Sequence, residues 1–369
     1  MEILEQTSIQ LILFFVLYGV TGVVPLLAAL YLLLRRANAI APGVTPPVRL
    51  QRWTAAFFVV ASSAHVWWLL FYIYSGNLQS VGYLVLTMVD FVLLFVTFSG
   101  MLLAMLQDRR RPVWPAMAAM IPFVLLVGAY MVYQSLFIQQ IAAGYLVLLG
   151  LVFTGHMVTA IRLYERWLNE NYADLENKRV WLSLAISLVC MLLFVIYVIA
   201  VNMVFIWLIH IIELVLVGLL LWRVETLPCL SFQPISTEIP EDGMTGIQED
   251  TLSDATYEQI GALLQQHCIA TQLYLQHDLT LSNMAQIIGT NRTYLSHYFS
   301  GQSITYNTYI NNLRIDHFIR LYREDAAAHR SISAQQLATR SGYRSYSTFS
   351  HAFKQRTGQT VTVWMSKNN

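Results

Sequence analysis

Four ionisable side chains lie where charge is expensive. His65, Asp90, His210 and Glu213 sit inside long apolar stretches of the chain. Imidazoles and carboxylates in such surroundings are functional candidates, because lipid-like environments penalise every charge that lacks a purpose or a partner. The chemistry open to them is capture of a polar ligand, proton exchange or coordination of a transition metal. His210 and Glu213 are three residues apart, which puts both on one face of a helix. The alternative is a paired network that only fixes how the helices pack. His156 is a fifth ionisable residue of this kind, nearer the end of its apolar run. No HExxH or similar paired ligand motif is present. Cys190, Cys229 and Cys268 are spread singly, without metal or disulfide spacing. Catalysis, a cofactor and a motif-borne metal site are therefore not expected.

The elements that must position these residues are membrane spans. Only 12% of the 369 residues are charged, and the mean hydropathy is +0.53. A helix needs about 20 mostly apolar residues to cross a bilayer. Runs of that kind occur near 10–34, 53–74, 81–106, 113–134, 137–161, 181–201 and 203–222. The last two form one apolar stretch of 42 residues, Trp181 to Trp222. That is too long for one crossing, so a hairpin turning at Asn202 is expected. A rise of 1.5 Å per residue puts His65, Asp90, His210 and Glu213 within about 5 Å of one another in depth. They are expected to converge in one pocket, with His156 on the cytoplasmic side.

Loop charge tests the count. Arg35, Arg36, Arg49 and Arg52 lie between the first two spans, and Arg109, Arg110 and Arg111 follow the third. Arg162, Arg166, Lys178 and Arg179 lie between the fifth and sixth, and Arg223 follows the seventh. All twelve basic residues of this half fall on alternate sides of successive spans, that is, on one face. Basic loops stay cytoplasmic. Seven spans with an outer N-terminus then put the C-terminal third in the cytoplasm. MEILEQTSIQ, acidic and without a basic n-region, is read as part of a retained first span and not as a cleaved signal. The expected location is a cell membrane, crossed several times, with the lipid bilayer as a partner.

Beyond the spans the composition changes. Residues 226–255 contain six acids and no base, with prolines and glycines and no clear period. They read as a flexible acidic linker spanning on the order of 30 Å. Residues 256–369 carry ten Lys/Arg and five Asp/Glu. LTLSNMAQIIGTNRTYLSHYF, 279–299, reads as a helix capped by Thr280, a glycine turn at Gly289 and a second helix starting near Asn291. SISAQQLATRSGYRSYSTFSHAF, starting at Ser331, repeats it about 54 residues later. Ser333 matches Thr280, Ala338 matches Ala285, and Gly342 matches Gly289. After a turn one residue longer, Phe349 and Phe353 match Leu295 and Phe299. The segment 305–324 reads as one connecting helix, with Tyr309, Leu313, Phe318 and Leu321 inward.

Two helix-turn-helix units in tandem, 279–299 and 331–357, joined by a helix carrying NLRI, are a specific pattern. Together with YINNLRIDHF and QQLATRSGYRSYSTFSHAFKQRTGQTVTVW, they make residues 256–369 resemble the DNA-binding domain of the AraC/XylS family of transcription regulators. Ser303 and Val361 stand where that family usually has glycine and proline, and Phe318 where it commonly has alanine. The resemblance implies two recognition helices entering successive major grooves of double-stranded DNA. It places Thr293, Ser296 and His297 of the first helix, and Tyr346, Ser347, Ser350 and His351 of the second, against the bases. Arg292 and Arg344 at the helix starts, with Arg314, Arg340, Lys354 and Arg356 nearby, would meet phosphates. Serine and histidine are modest base readers, so limited sequence discrimination is expected.

The expected fold class is all-α: a seven-helix transmembrane bundle, 1–225, the linker and a cytoplasmic tandem helix-turn-helix domain. The expected function is a one-component transcription regulator controlled by a signal sensed in the membrane. RNA polymerase, a second copy of the chain and an unknown small ligand or membrane protein are further candidate partners. The alternative is a receptor or transporter whose C-terminal domain binds a protein.

Overall fold

The computed structural model describes residues 2–35, 37–74, 81–199, 203–230, 254–330 and 333–368. The fold is 79% helical and contains no strand among the described residues, as the all-α expectation requires. It forms two compact units. The first joins residues 1–164 to 180–233, and the second joins residues 165–179 to 234–369. The second unit thus takes in a segment from the middle of the chain as well as the C-terminal third.

The apolar unit contains α1 (Glu2–Leu34), α2 (Val48–Tyr74), α3 (Val81–Met105), α4 (Trp114–Ala119), α5 (Ile121–Tyr133), most of α6 (Leu136–Asn171), α7 (Trp181–Ile199) and α8 (Met203–Thr226). Among the described residues six stretches are long and apolar enough to cross a membrane, and Trp181–Leu192 within α7 is a shorter apolar stretch. The break between α7 and α8 brackets the expected turn, but Asn202 itself lies outside the described residues, as do the loop at 75–80 and linker residues 231–253. The fourth expected span is interrupted: α4 and α5 meet at Met120. Pro122 has no N–H to continue the ladder, and its ring crowds the preceding turn.

Close packing holds these helices together. A Cβ on Gly100 of α3 would collide with the Trp53 ring of α2, so only glycine lets the indole lie there. Phe57 and Phe98 stack across the same pair of helices at 5.4 Å, and Phe95 of α3 meets Phe153 of α6 at 5.5 Å. At the end of α8, Glu225 is fully buried. It pairs with Arg35, accepts from Tyr31 Oη at 3.1 Å and presents its carbonyl to Asn38 Nδ2 at 2.7 Å. The first residues of the expected linker are docked as well. Leu227 is buried, and the Cys229 amide donates to Thr45 O at 2.8 Å.

The second unit begins with α9 (Asp254–Leu264), extended by a π turn over Gln265–Ile269 and a short turn at Leu273–Leu275. Then come α10 (Leu281–Ile287), α11 (Arg292–Gly301), α12 (Tyr306–Ala327), α13 (Ala334–Arg340), α14 (Tyr346–Thr357) and α15 (Val361–Asn368). Two cores flank α12. The first gathers Ile260, Leu264, Cys268, Leu281, Met284, Leu295 and Phe299 around Ile310, and includes Ala173 of the 165–179 segment. The second gathers Leu337, Tyr343, Phe349, Phe353 and Val361 around Phe318. Tyr309 and Leu313, expected to be inward, are half-buried at the edge of the first core.

Candidate nucleic-acid interface

Each helix pair is built by the same local rules. Thr280 Oγ1 accepts from the Asn283 amide at the start of α10, and Ser333 Oγ accepts from the Gln336 amide at the start of α13. Both caps satisfy a donor that the helix cannot. The turns match too. Gly289 sits at φ +73° and Gly342 at φ +86°. The next amide closes back in each case, Thr290 to Ala285 O at 2.9 Å and Tyr343 to Ala338 O at 3.2 Å. This six-to-one closure around a left-handed residue terminates a helix and re-aims the chain. Asn291 and Ser345 then cap α11 and α14 by accepting from the amides of Tyr294 and Thr348.

With the hydrophobic faces turned inward through Leu295, Phe299, Phe349 and Phe353, all at most 3% exposed, the opposite faces are left outside. Thr293 and His297 on α11 are exposed and Ser296 is half-buried. Tyr346, Ser347 and His351 on α14 are exposed and Ser350 is half-buried. Each helix thus shows a short strip of hydroxyl and imidazole groups, the size of side chain that meets base edges in a major groove.

The arginines divide into two kinds. Arg314 is not the surface cation its sequence position suggested. It is 2% exposed, and its guanidinium donates to Tyr274 O at 2.7 Å and Gln276 O at 2.8 Å beneath the Tyr343 ring. Burial lowers its pKa, opposed by the nearby Tyr343 and Asp174. It is a strut between α12 and the turn before α10. Arg356 is committed in part to Asp316 at 2.7 Å, and Arg340 to Asp325 at 3.2 Å. Arg292 and Arg344, at the starts of the two exposed helices, are both engaged by the 165–179 segment. Arg292 Nε and Nη2 donate to Asn171 Oδ1 at 3.0 and 2.6 Å. Arg344 pairs with Asp278 and lies 3.7 Å from Asp174. Burial pushes the Cys268 thiol up to about 12, which keeps it protonated and inert.

A family model described as a helix-turn-helix domain matches residues 284–367. The second unit carries an AraC-type helix-turn-helix domain. It is the DNA-binding domain of transcription regulators and not a catalytic one. Searches of curated proteins and of solved structures return no match.

Among the ionisable candidates of the apolar unit the structure brings three together. His65 Nε2 of α2 lies 3.6 Å from the Glu213 carboxylate of α8, and the His65 and His210 rings are 5.7 Å apart. Tyr18 of α1, which the sequence did not single out, stacks on both rings at 4.9 and 5.6 Å and donates its hydroxyl to His65 O at 2.7 Å. Asp90 is buried on α3 and takes a hydrogen bond from the Trp68 side chain. His156 is exposed on α6. No group of three or more His, Cys, Asp or Glu side chains able to hold a metal occurs among the described residues.

Proposed function

We propose that the chain is a membrane-embedded, one-component transcription regulator. It grips promoter DNA with α11 and α14 and answers a signal received by its apolar unit. The observation that carries this reading is one covalent chain holding both parts: a tandem helix-turn-helix domain with open hydroxyl and imidazole strips, and six long apolar helices. Thr293, Ser296, His297, Tyr346, Ser347, Ser350 and His351 face the bases, and Arg292 and Arg344 meet phosphates. In this reading seven crossings, with α7 as the sixth, leave the N-terminus outside and the DNA-binding unit in the cytoplasm. The one-sided distribution of the twelve basic residues supports that topology. The cluster of Tyr18, His65, His210 and Glu213, with Asp90 on the adjoining helix, is the proposed point of signal entry.

The deciding experiment is DNA binding by the detergent-purified full chain as a function of salt. Binding that weakens steeply with salt is expected, with a log–log slope set by the number of phosphates neutralised. Replacing Arg292 or Arg344 by alanine should reduce that slope by about one each. DNA binding that is insensitive to salt defeats the reading and favours a receptor whose C-terminal unit holds a protein. Alanine at His65, His210 or Glu213 should leave DNA binding intact while abolishing the transcriptional response of cells. A reporter fused after Asn369 that is active only outside the membrane would defeat the topology.

A further inference from the structure

The segment 165–179 is a part of the second unit that neither the helix-turn-helix pattern nor the proposed function requires. It links the apolar helices α6 and α7 in sequence, yet it is built into the DNA-binding unit. The Ala173 amide donates to Leu279 O at 3.0 Å, and Tyr172 forms an antiparallel bridge with Thr280, the cap of α10. From α12, Asn307 Nδ2 donates to the carbonyls of Tyr172 and Ala173 at 3.2 and 2.8 Å. Asn311 holds that amide in place through Asn307 Oδ1 at 2.9 Å. The Ala173 methyl is sealed in the first core at 3% exposure. These anchors are neutral and main-chain based, so they hold without help from charge.

The polar side chains on either side of the plug reach the two helix starts. Asn171 occupies the Nε–Nη2 edge of Arg292. Asp174 and Asp278 face Arg344, and Lys178 joins Asp278 at 3.3 Å. A guanidinium edge that grips one acceptor in this way is the edge that would grip a phosphate oxygen bidentately. Two carboxylates around Arg344 also cancel the positive charge that draws a phosphate in. The base-facing strips stay open, because Thr293, His297, Tyr346, Ser347 and His351 remain exposed. The segment therefore withholds the phosphate grip and leaves the reading faces bare.

We infer that residues 165–179 are an internal competitor of DNA. They dock across the starts of α10, α11 and α14 and keep Arg292 and Arg344 from phosphates, and DNA and the segment exclude one another. The inference rests on the DNA-binding reading above. Because the flanks of the segment continue into α6 and α7, any movement of those helices that draws it off raises DNA affinity. The signal would act by release of a clasp.

The test uses the full chain in detergent and a mixed-sequence DNA duplex at low salt. The double variant N171A/D174N frees Arg292 and strips the segment's carboxylate from Arg344, which keeps Asp278, while leaving the Ala173 plug and its main-chain bonds. It should bind DNA on the order of tenfold more tightly than the parent, with a steeper salt slope. Equal or weaker binding by the variant overturns the clasp. A second measurement on the unmodified chain guards against a misfolded variant. Saturating DNA should speed amide exchange at Ala173, whose partner is Leu279 O, and protection that persists with DNA bound also overturns the clasp. If neither chain binds the duplex at any salt, the DNA-binding reading itself has failed, and the clasp falls with it.

Discussion

The two helix-turn-helix halves are near copies in their local devices and unlike in what holds them up. Cap, alanine, left-handed glycine, six-to-one closure and second cap recur in order. The cores behind them differ. The second half is closed by its own aromatics: Phe318, Phe349 and Phe353 lie within 4.5–5.6 Å of one another, with Trp364 of α15 against Phe353 at 5.6 Å. The first half is closed with borrowed parts, α9 with its π turn and the Ala173 plug from 165–179. A repeat of surface geometry does not imply a repeat of stability. The half that recruits a distant segment depends on it to close its core.

The contrast can be broken most sharply in the second core. Phe349→Ala should cost about 3–5 kcal/mol, because the ring is fully buried and meets Phe318, Phe353 and Tyr343. Amide exchange should show the loss concentrated in α13 to α15, and equal loosening of α10 and α11 would mean that the two cores act as one. The glycine turns come next. Alanine at Gly289 meets open space and suffers only the left-handed backbone, about 1–2 kcal/mol. Alanine at Gly342 adds a Cβ 2.9 Å from the Leu275 backbone and 3.1 Å from Arg314 Nε, so chemical denaturation should show a clearly larger loss there. The caps should be equal: Asn291→Ala and Ser345→Ala should each cost about 1 kcal/mol, and a marked difference would break the local equivalence of the halves.

Smaller effects separate the helix ends. Gly358 closes α14 at φ +72°, whereas Ser303 takes the corresponding left-handed place after α11 at φ +56°. Ser303→Gly should therefore stabilise the first half by up to about 1 kcal/mol in thermal unfolding. The smallest effect concerns His317 on α12, which hydrogen-bonds Tyr274 of the first half at 3.1 Å. Burial, and then Arg320, lower its pKa from the ordinary 6.5. The unfolded chain then binds more protons as pH falls below about that value, so stability is full above it and declines toward acid. His317→Gln should flatten that decline in a pH series of unfolding curves.

The parts legible in the sequence were those set by short-range rules. A cap needs a hydroxyl or amide three residues before the amide it serves, and a left-handed turn needs glycine, so Thr280, Ser333, Gly289 and Gly342 could be read directly. The open strip of α11 followed from helical spacing against Leu295 and Phe299, and that of α14 from its match to the first unit and the family motif. What could not be read depends on contacts between distant positions. Arg314 looked like a phosphate ligand because its burial is made by Tyr274, Gln276 and Tyr343. In the loop NENYADLENKR only the bases carry a topological signal, and its asparagines and Asp174 follow no period that betrays docking. Glu225 carries no signal in the sequence and is the centre of a buried pair with Arg35. Tyr18 passed as one aromatic among many in an apolar run.

The Ala173 plug has one more consequence. Because 165–179 is stitched into the helix-turn-helix unit, the chain passes between the two units at three points, after Tyr164, after Arg179 and after Gln233. No single cut separates them. A fragment beginning at Thr256 would keep the exposed faces of α11 and α14 and still leave a methyl-sized hole in its first core, with the Leu279 carbonyl bare. To lift this domain cleanly out of its chain, one must carry the plug along as a second peptide or splice it ahead of α9.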